Sequence, residues 1–466
     1  MITIIGLGIQ EGDITLNAQD AIKKADAVYV KTKQTSTYNY FVKNNIETHN
    51  FDWIYDTAED FSDLNQKIIA KLLSVSADKN VVFCVNGNGA DDATIVELSK
   101  IQNVQIISGV GHLDNGLKYY PDTSVMQYSA YDVISSLAFF PDKRHTVIIK
   151  EIDNRLLAGD LKLILQNIYG DDKKLMITNL ENSCEISIND IDKQKFYDYS
   201  TACVIPSESF LEAKRHDFCD LIELMENLMG DNGCPWDRAQ THESIRINLI
   251  EEAYELVNAI DKNDIDNMIE ETGDVLLQAV FHAMLGKRGA EYNQTDVLSG
   301  LCSKLIGRHT HIFGENKASN SEEALKSWDN AKNVEKEFLT ISDKLDSLPE
   351  NLPSLLLAYK TQKIVAKVGF DWEDIDGTYE KLFEEIDELK RASGDDIVKE
   401  AGDVLFSTIN VLRWLKVEPE LALRGACEKF VNRFKYMEGK IIENSELFSD
   451  AAVRERYWEE SKKLFL

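Results

Sequence analysis

Long apolar runs are absent from this sequence. No stretch of roughly 18 or more apolar residues occurs in its 466 residues, so no transmembrane helix and no membrane partner are expected. The opening Met1-Ile2-Thr3-Ile4-Ile5-Gly6 has no basic flank. It reads as a first strand rather than a signal peptide, and a cytoplasmic protein is expected. Cysteine is sparse and unpatterned, with seven residues at 84, 184, 203, 219, 234, 302 and 427 and no CxxC. A zinc site has no support, and in a reducing compartment these are free thiols that mostly fill cores. Positive charge is also in deficit. Lys plus Arg number 51 against 80 Asp plus Glu, a formal charge of −29. A general basic surface for nucleic acid is disfavoured, since phosphates would be repelled. Such a chain needs a divalent metal to bridge it to a polyphosphate.

What is present is a core-forming chain, 44% apolar, with a change of character near its middle. Residues 1–206 carry strand-like runs at Ile2–Ile5, Ala27–Val30, Val81–Val85, Val104–Ile107, Thr146–Ile149 and Leu175–Thr178. Helical stretches such as Ile68–Ser76 and Ala93–Ile101 lie between some of them. This alternation predicts an α/β domain with a largely parallel sheet. Ile205-Pro206-Ser207-Glu208-Ser209 is the expected boundary. From Phe210 onward the apolar spacing is mostly helical, as at Leu256, Val257 and Ile260, and prolines are few: Pro235, Pro349, Pro353 and Pro419. The polar connector Ser342–Pro353 splits this half into 210–340 and 353–466. The expected architecture is multidomain: one α/β domain followed by two all-α helical bundles.

The two helical pieces repeat each other. Glu251-Glu252-Ala253-Tyr254-Glu255 is followed by Glu270-Glu271-Thr272-Gly273-Asp274-Val275-Leu276. In the second copy Glu384-Glu385-Ile386-Asp387-Glu388 is followed by Lys399-Glu400-Ala401-Gly402-Asp403-Val404-Leu405. Positions i and i+3 of a helix lie about 60° apart on one face. Glu252 with Glu255, and Glu271 with Asp274, therefore point the same way, as do Glu385 with Glu388 and Glu400 with Asp403. Turn-forming spacers, Asp261-Lys262-Asn263-Asp264 and Ser393-Gly394-Asp395-Asp396, let each helix pair fold back so that four carboxylates converge. Unneutralised, they repel; an all-oxygen set without Cys or His suits Mg²⁺ or Mn²⁺. A metal that keeps waters and binds phosphate oxygens makes a nucleotide polyphosphate the expected substrate. Glycine is costly inside a helix, so Gly273 and Gly402 suggest close helix–helix approach.

At this point the sequence resembles the MazG-type nucleoside triphosphate pyrophosphohydrolases. The resemblance is carried by Gly233-Cys234-Pro235-Trp236-Asp237, Gln240-Thr241-His242, Phe281-His282-Ala283 and the run Lys304–Gly314, with Trp328 and Lys332 after it. In the second copy it is carried by Lys360-Thr361-Gln362-Lys363, Val368-Gly369-Phe370-Asp371-Trp372, Lys429–Phe434 and Tyr457–Lys462. It implies hydrolysis of a nucleoside triphosphate to monophosphate and pyrophosphate. The eight carboxylates, four per copy, would hold Mg²⁺ or Mn²⁺, and Glu251 or Glu384 would take a proton from water. Lys304, Arg308, Lys332, Lys429 and Arg433 would meet the nucleotide, and Trp328, Trp372 or Trp458 would lie against it. Both copies keep all four ligand positions, so ligand counting does not rank them. The resemblance favours the second as the stronger catalyst, leaving the first active, regulatory or a packing partner. A homodimer is expected.

The first half resembles the tetrapyrrole (S-adenosylmethionine-dependent) methylases, as fused to MazG repeats in YabN-type proteins. Gly6-Leu7-Gly8, Asp13, Leu16, Ala25–Val28, Ile107–Asp114, Glu151-Ile152-Asp153 and Lys162 carry the likeness. The cofactor loops it implies contain Gly6, Gly8, Gly87 and Gly109. The sequence departs from the family at Ile9-Gln10-Glu11-Gly12, which lacks the usual proline-glycine step, and at Val85–Asp92, which adds Asp91 and Asp92. These departures favour a degenerate binding or scaffold domain over S-adenosylmethionine-dependent methylation. Alternatives to the hydrolase are a bifunctional methyltransferase and a nucleotide-sensing module with little catalysis.

Overall fold

The computed structural model describes residues 2–314, 317–336 and 338–465. The chain divides into two compact units, Met1–Val297 and Leu298–Leu466. The division falls within a helix, Gln294–Arg308, inside the stretch expected to be the first helical bundle.

In the first unit, strands β1 (Ile2–Gly6), β2 (Ala27–Val30), β3 (His49–Asn50), β4 (Val81–Val85) and β5 (Gln105–Ile107) form a parallel sheet in the order β3-β2-β4-β1-β5. Its central strands β1 and β4 are buried along their whole length, as a parallel sheet covered on both faces requires. Alternate residues feed two cores. Ile4 and Phe83 pack under the helices α1 (Phe61–Val75) and α2 (Ala93–Ile101), while Ile5 and Cys84 pack on the opposite side with Ala18 and Ile22. A second sheet contains β6 (Val125–Ser129), β7 (Thr146–Lys150), β8 (Lys174–Thr178), β9 (Ser183–Ser187) and β10 (Ala202–Ile205), in the order β6-β7-β10-β8-β9. Only β6 and β7 are parallel there; the other pairings are antiparallel. The expectation of a largely parallel sheet thus holds for the first sheet and not for the second. Strands β6 and β9 are half-exposed, so they carry no continuous apolar run of the kind that marks β1 or β4.

The rest of the first unit is helical. Helices α3 (Phe218–Met229), α4 (His242–Asp261) and α5 (Ile265–Arg288) share a small core of Met225, Ile245, Val280, Phe281, Met284 and Leu285. Thr241 caps α4 by accepting from the Ser244 amide, and Asp264 caps α5 by accepting from the Asn267 amide. Between them Asn263 takes φ 52°, the left-handed turn that folds the two helices back on each other.

The second unit repeats the device. Helices α6 (Ile375–Arg391) and α7 (Asp396–Trp414) are joined through Gly394 at φ 60°. Helices α8 (Pro419–Glu443) and α9 (Ala451–Leu464) close on a small core of Met437, Ile441 and Tyr457. No described helix is long and apolar enough to cross a membrane.

Candidate metal centre

In the first copy, Glu252 and Glu255 of α4 and Glu271 of α5 each offer an oxygen within 4.8 Å of the others. The i,i+3 spacing aims the α4 pair inward, and the Asn263 turn delivers α5 antiparallel. Asp274 stands outside that group, although its charge reaches both Glu252 and Glu271. The Glu252 carboxyl is held above its ordinary range first by burial, then by the neighbouring Asp274, Glu255 and Glu251. Burial likewise raises Glu271, followed by Glu255, Glu270, Asp274 and Glu252. Among the described residues, no lysine or arginine forms an ion pair with Glu252, Glu255 or Glu271. One oxygen of Glu271, Oε2, is buried without a hydrogen-bond partner. An orphaned acceptor inside an all-oxygen set fits a hard divalent cation.

The second copy converges differently. Its group is Glu385, Glu400 and Asp403, again within 4.8 Å, with Glu388 outside it. Glu400 Oε2 is also buried and unpartnered. Here the protein supplies counter-charge. Lys381 Nζ lies 2.7 Å from Glu385 and 3.2 Å from Glu384, and Lys399 Nζ lies 3.0 Å from Glu400. Lys381 was not among the sequence candidates, although its i−4 position relative to Glu385 is the spacing at which helical ion pairs form.

Gly273 and Gly402 do not mark close helix approach. A Cβ at either would meet nothing within 4 Å, so each glycine faces open space. Glu251 and Glu384 are exposed next to their clusters.

The basic and aromatic candidates are dispersed in role. Arg308 is buried and donates two bonds to Glu335, at 2.7 and 2.9 Å, with its guanidinium 5.3 Å from the Trp328 ring centre. Arg433 donates to the Phe465 carbonyl at 2.9 and 2.6 Å. Trp458 packs against Phe430 and the small core of α8 and α9. Trp372 lies on Gly377, where a Cβ would come within 2.7 Å of the ring. Arg308 and Arg433 thus already have partners within the protein, while Trp372 remains 43% exposed. Lys304, Lys332 and Lys429 are exposed.

One pairing in the first copy went unassigned from sequence although both residues lie in quoted motifs. The Nδ1 atoms of His242 and His282 are 2.7 Å apart and the rings stack at 4°. The pair fastens the start of α4 to α5. Burial, then His242, lowers the His282 pKa.

In the α/β part the four candidate glycines do come together. Gly8 and Gly87 exchange backbone hydrogen bonds of 3.2 and 2.8 Å, both with positive φ. A Cβ on Gly6 would sit 2.1 Å from the Asn88 carbonyl oxygen, and one on Gly109 would sit 2.4 Å from that of Gly6. The adjoining cavity, lined by Ile9, Gln10, His112, Asn115, Lys118 and Asn179 among others, measures about 60 Å³. Asp91 ties the loop after β4 to the second sheet through Lys150 at 2.7 Å and Gln127 at 2.9 Å.

The comparisons with known proteins agree with both halves. Residues 240–313 match the MazG nucleotide pyrophosphohydrolase domain, and residues 1–179 match the tetrapyrrole (corrin/porphyrin) methylases. An uncharacterized protein of Bacillus subtilis, YabN, is 32% identical over 99% of this chain and 98% of its own length. The nucleoside triphosphate pyrophosphohydrolase/pyrophosphatase MazG of Thermotoga maritima is 42% identical over 53% of this chain and 95% of its own length. A solved structure, a precorrin-6Y methylase of cobalamin biosynthesis from Archaeoglobus fulgidus, aligns at 15% identity over 45% of this chain and 98% of that one, with a TM-score of 0.34. The chain is therefore a member of the MazG nucleoside triphosphate pyrophosphohydrolase family that carries a tetrapyrrole methylase domain ahead of its helical repeats.

Proposed function

We propose that this protein hydrolyses nucleoside triphosphates to the monophosphate and pyrophosphate with Mg²⁺ or Mn²⁺ at Glu252, Glu255 and Glu271. One observation carries the reading. Three carboxylate oxygens from two consecutive helices meet within 4.8 Å, and no basic side chain among the described residues pairs with them. The raised Glu252 and Glu271 carboxyls are what burial, and then uncompensated like charges, produce. When bound, the metal supplies charge neutralisation at the phosphates and polarises the phosphoryl group that water attacks. The chain's own residues do the rest. Asp274 adds negative potential behind the cluster without joining it. Glu251, exposed beside Glu252, is positioned to accept a proton from water. The resemblance had favoured the second copy; the charge around the two clusters favours the first.

The same helices support a homodimer. Ile247, Ile250 and Ile269 on α4 and α5 are each more than half exposed, an apolar face of the kind that a second copy of the chain would cover.

The test is pyrophosphate release from each NTP and dNTP, with Mg²⁺ and with a chelator. The expected result is release that the chelator abolishes. Binding of nucleotide without release from any of them would replace the hydrolase with a sensing module.

A further inference from the structure

A cavity of about 250 Å³ lies in the first unit, and none of the acidic-cluster residues lines it. Its inner wall is apolar. Val133 of the helix Ala130–Ser135 lines it, with Ile164 and Ile168 of the helix Arg155–Tyr169 and with Phe139 from the segment between them. Val133 belongs to the core beneath the second sheet, and the other three pack against that core. Phe139 also stands edge-on to Tyr128, with ring centres 4.9 Å apart. The wall is therefore held by the domain's own packing. Leu137 and Phe140 line the same cavity and are exposed.

One charged group is buried in this lining. Lys143 is only 4% exposed. Its Nζ donates to the Asp220 carboxylate and to the Arg215 carbonyl, each at 2.7 Å. An ammonium has three protons to donate. Asp217 Oδ2 lies 3.5 Å away, beyond an ordinary N–H···O hydrogen bond. The other oxygen of Asp217 is committed to capping α3, where it accepts from the Cys219 and Asp220 amides. Among the described residues the third ammonium proton thus has no close acceptor, although a buried donor left unmatched costs stability.

We infer that this cavity is a binding site for a small, uncharged aromatic molecule that carries a hydroxyl. Volume sets the size. An apolar cavity of about 150 Å³ holds benzene, so one of about 250 Å³ holds one or two fused rings. The walls set the character, since four aliphatic and aromatic side chains face the ring. Charge sets the polar end. Lys143 is one positive group against two carboxylates, Asp217 and Asp220, so an anion is repelled, while a cation would come up against the ammonium. A hydroxyl oxygen accepts the third ammonium proton and donates its own to Asp217, bringing no charge with it. Because His216 and Asp217 also line the cavity, the bound ring touches the segment that leads from the α/β domain into α3.

The experiment is equilibrium dialysis of the full chain at pH 7 against 2-naphthol, naphthalene and 2-naphthoate, with circular dichroism to check that each variant is folded. The expected result is saturable uptake of one 2-naphthol per chain. Naphthalene, which lacks the acceptor, and 2-naphthoate, which is an anion, are each expected to bind ~10-fold more weakly. Ile168→Trp, which fills the cavity, is expected to abolish the uptake. Ala138→Trp, at an exposed position of the same lining, gives the same test if Ile168→Trp fails to fold. The inference is overturned if 2-naphthol shows no saturable uptake, if naphthalene or 2-naphthoate binds as tightly, or if the folded tryptophan variant takes up 2-naphthol as the natural chain does.

Discussion

The helix pair α4 and α5 and the helix pair α6 and α7 have the same i,i+3 carboxylate spacing within each helix and each a left-handed turn between them, at Asn263 and at Gly394. They differ one turn upstream and one residue upstream of the conserved pattern, where Lys381 and Lys399 replace Asn248 and Glu270. The first cluster has no basic partner among the described residues, whereas Lys381 and Lys399 pair with the second, which still holds an unpartnered Glu400 Oε2. A repeated motif thus fixes where carboxylates converge, while its flanks set the charge around them.

Breaking the first cluster should have the largest effect. Glu252→Gln or Glu271→Gln is expected to lower pyrophosphate release by ~100-fold or more, since loss even of an outer-shell partner costs ~10–100-fold. Comparable turnover in both variants and the natural chain would move the chemistry elsewhere. Next, Gly273→Ala should raise helix stability by about 1 kcal/mol while leaving turnover unchanged, because its Cβ would meet nothing within 4 Å. Thermal melts and initial rates on the same preparation check both.

A smaller effect concerns pH. Glu252 and Glu271 have folded values above the ordinary 4.5, so the folded state holds protons more tightly than the unfolded chain. Without metal, their contribution is full below about 4.5 and is lost as pH rises through the raised values. Mg²⁺ should flatten this dependence in melts recorded from pH 4 to 8. A curve that stays as steep with saturating Mg²⁺ would detach the cluster from metal. The smallest effect is at the histidine pair. The His282 pKa is lowered below 6.5, so the folded state disfavours its proton. The contribution is present above about 6.5 and lost as pH falls through the lowered value. With Mg²⁺ present, His282→Gln should remove that acid-side slope; an unchanged slope would mean that the 2.7 Å contact does not govern it.

Much of this was legible in the sequence for a local reason. Strands β1, β2 and β4 are continuous apolar runs, and the i,i+3 carboxylates and turn residues act over one helical step. What escaped was non-local or half-exposed. Strands β6 and β9 show water one face, so alternation blurs their pattern. Glu335 lies 27 residues from Arg308, and no spacing rule links them. The same holds for Arg433 and the Phe465 carbonyl. Which carboxylates of each set come within 4.8 Å of one another is a matter of ångströms between helices, which periodicity does not resolve. Lys381, four residues before Glu385, is the local exception, since that helical spacing is legible in the sequence.

The packing of Gly6 against Asn88 and Gly109 has a consequence for how such chains evolve. Hydrogen is the largest substituent those positions tolerate, because neighbouring main chain, not a guest molecule, fills the space. Selection for a sound sheet alone would preserve these glycines after any ancestral chemistry had gone. The presence of these glycines therefore does not by itself separate a loop kept for chemistry from one kept for packing.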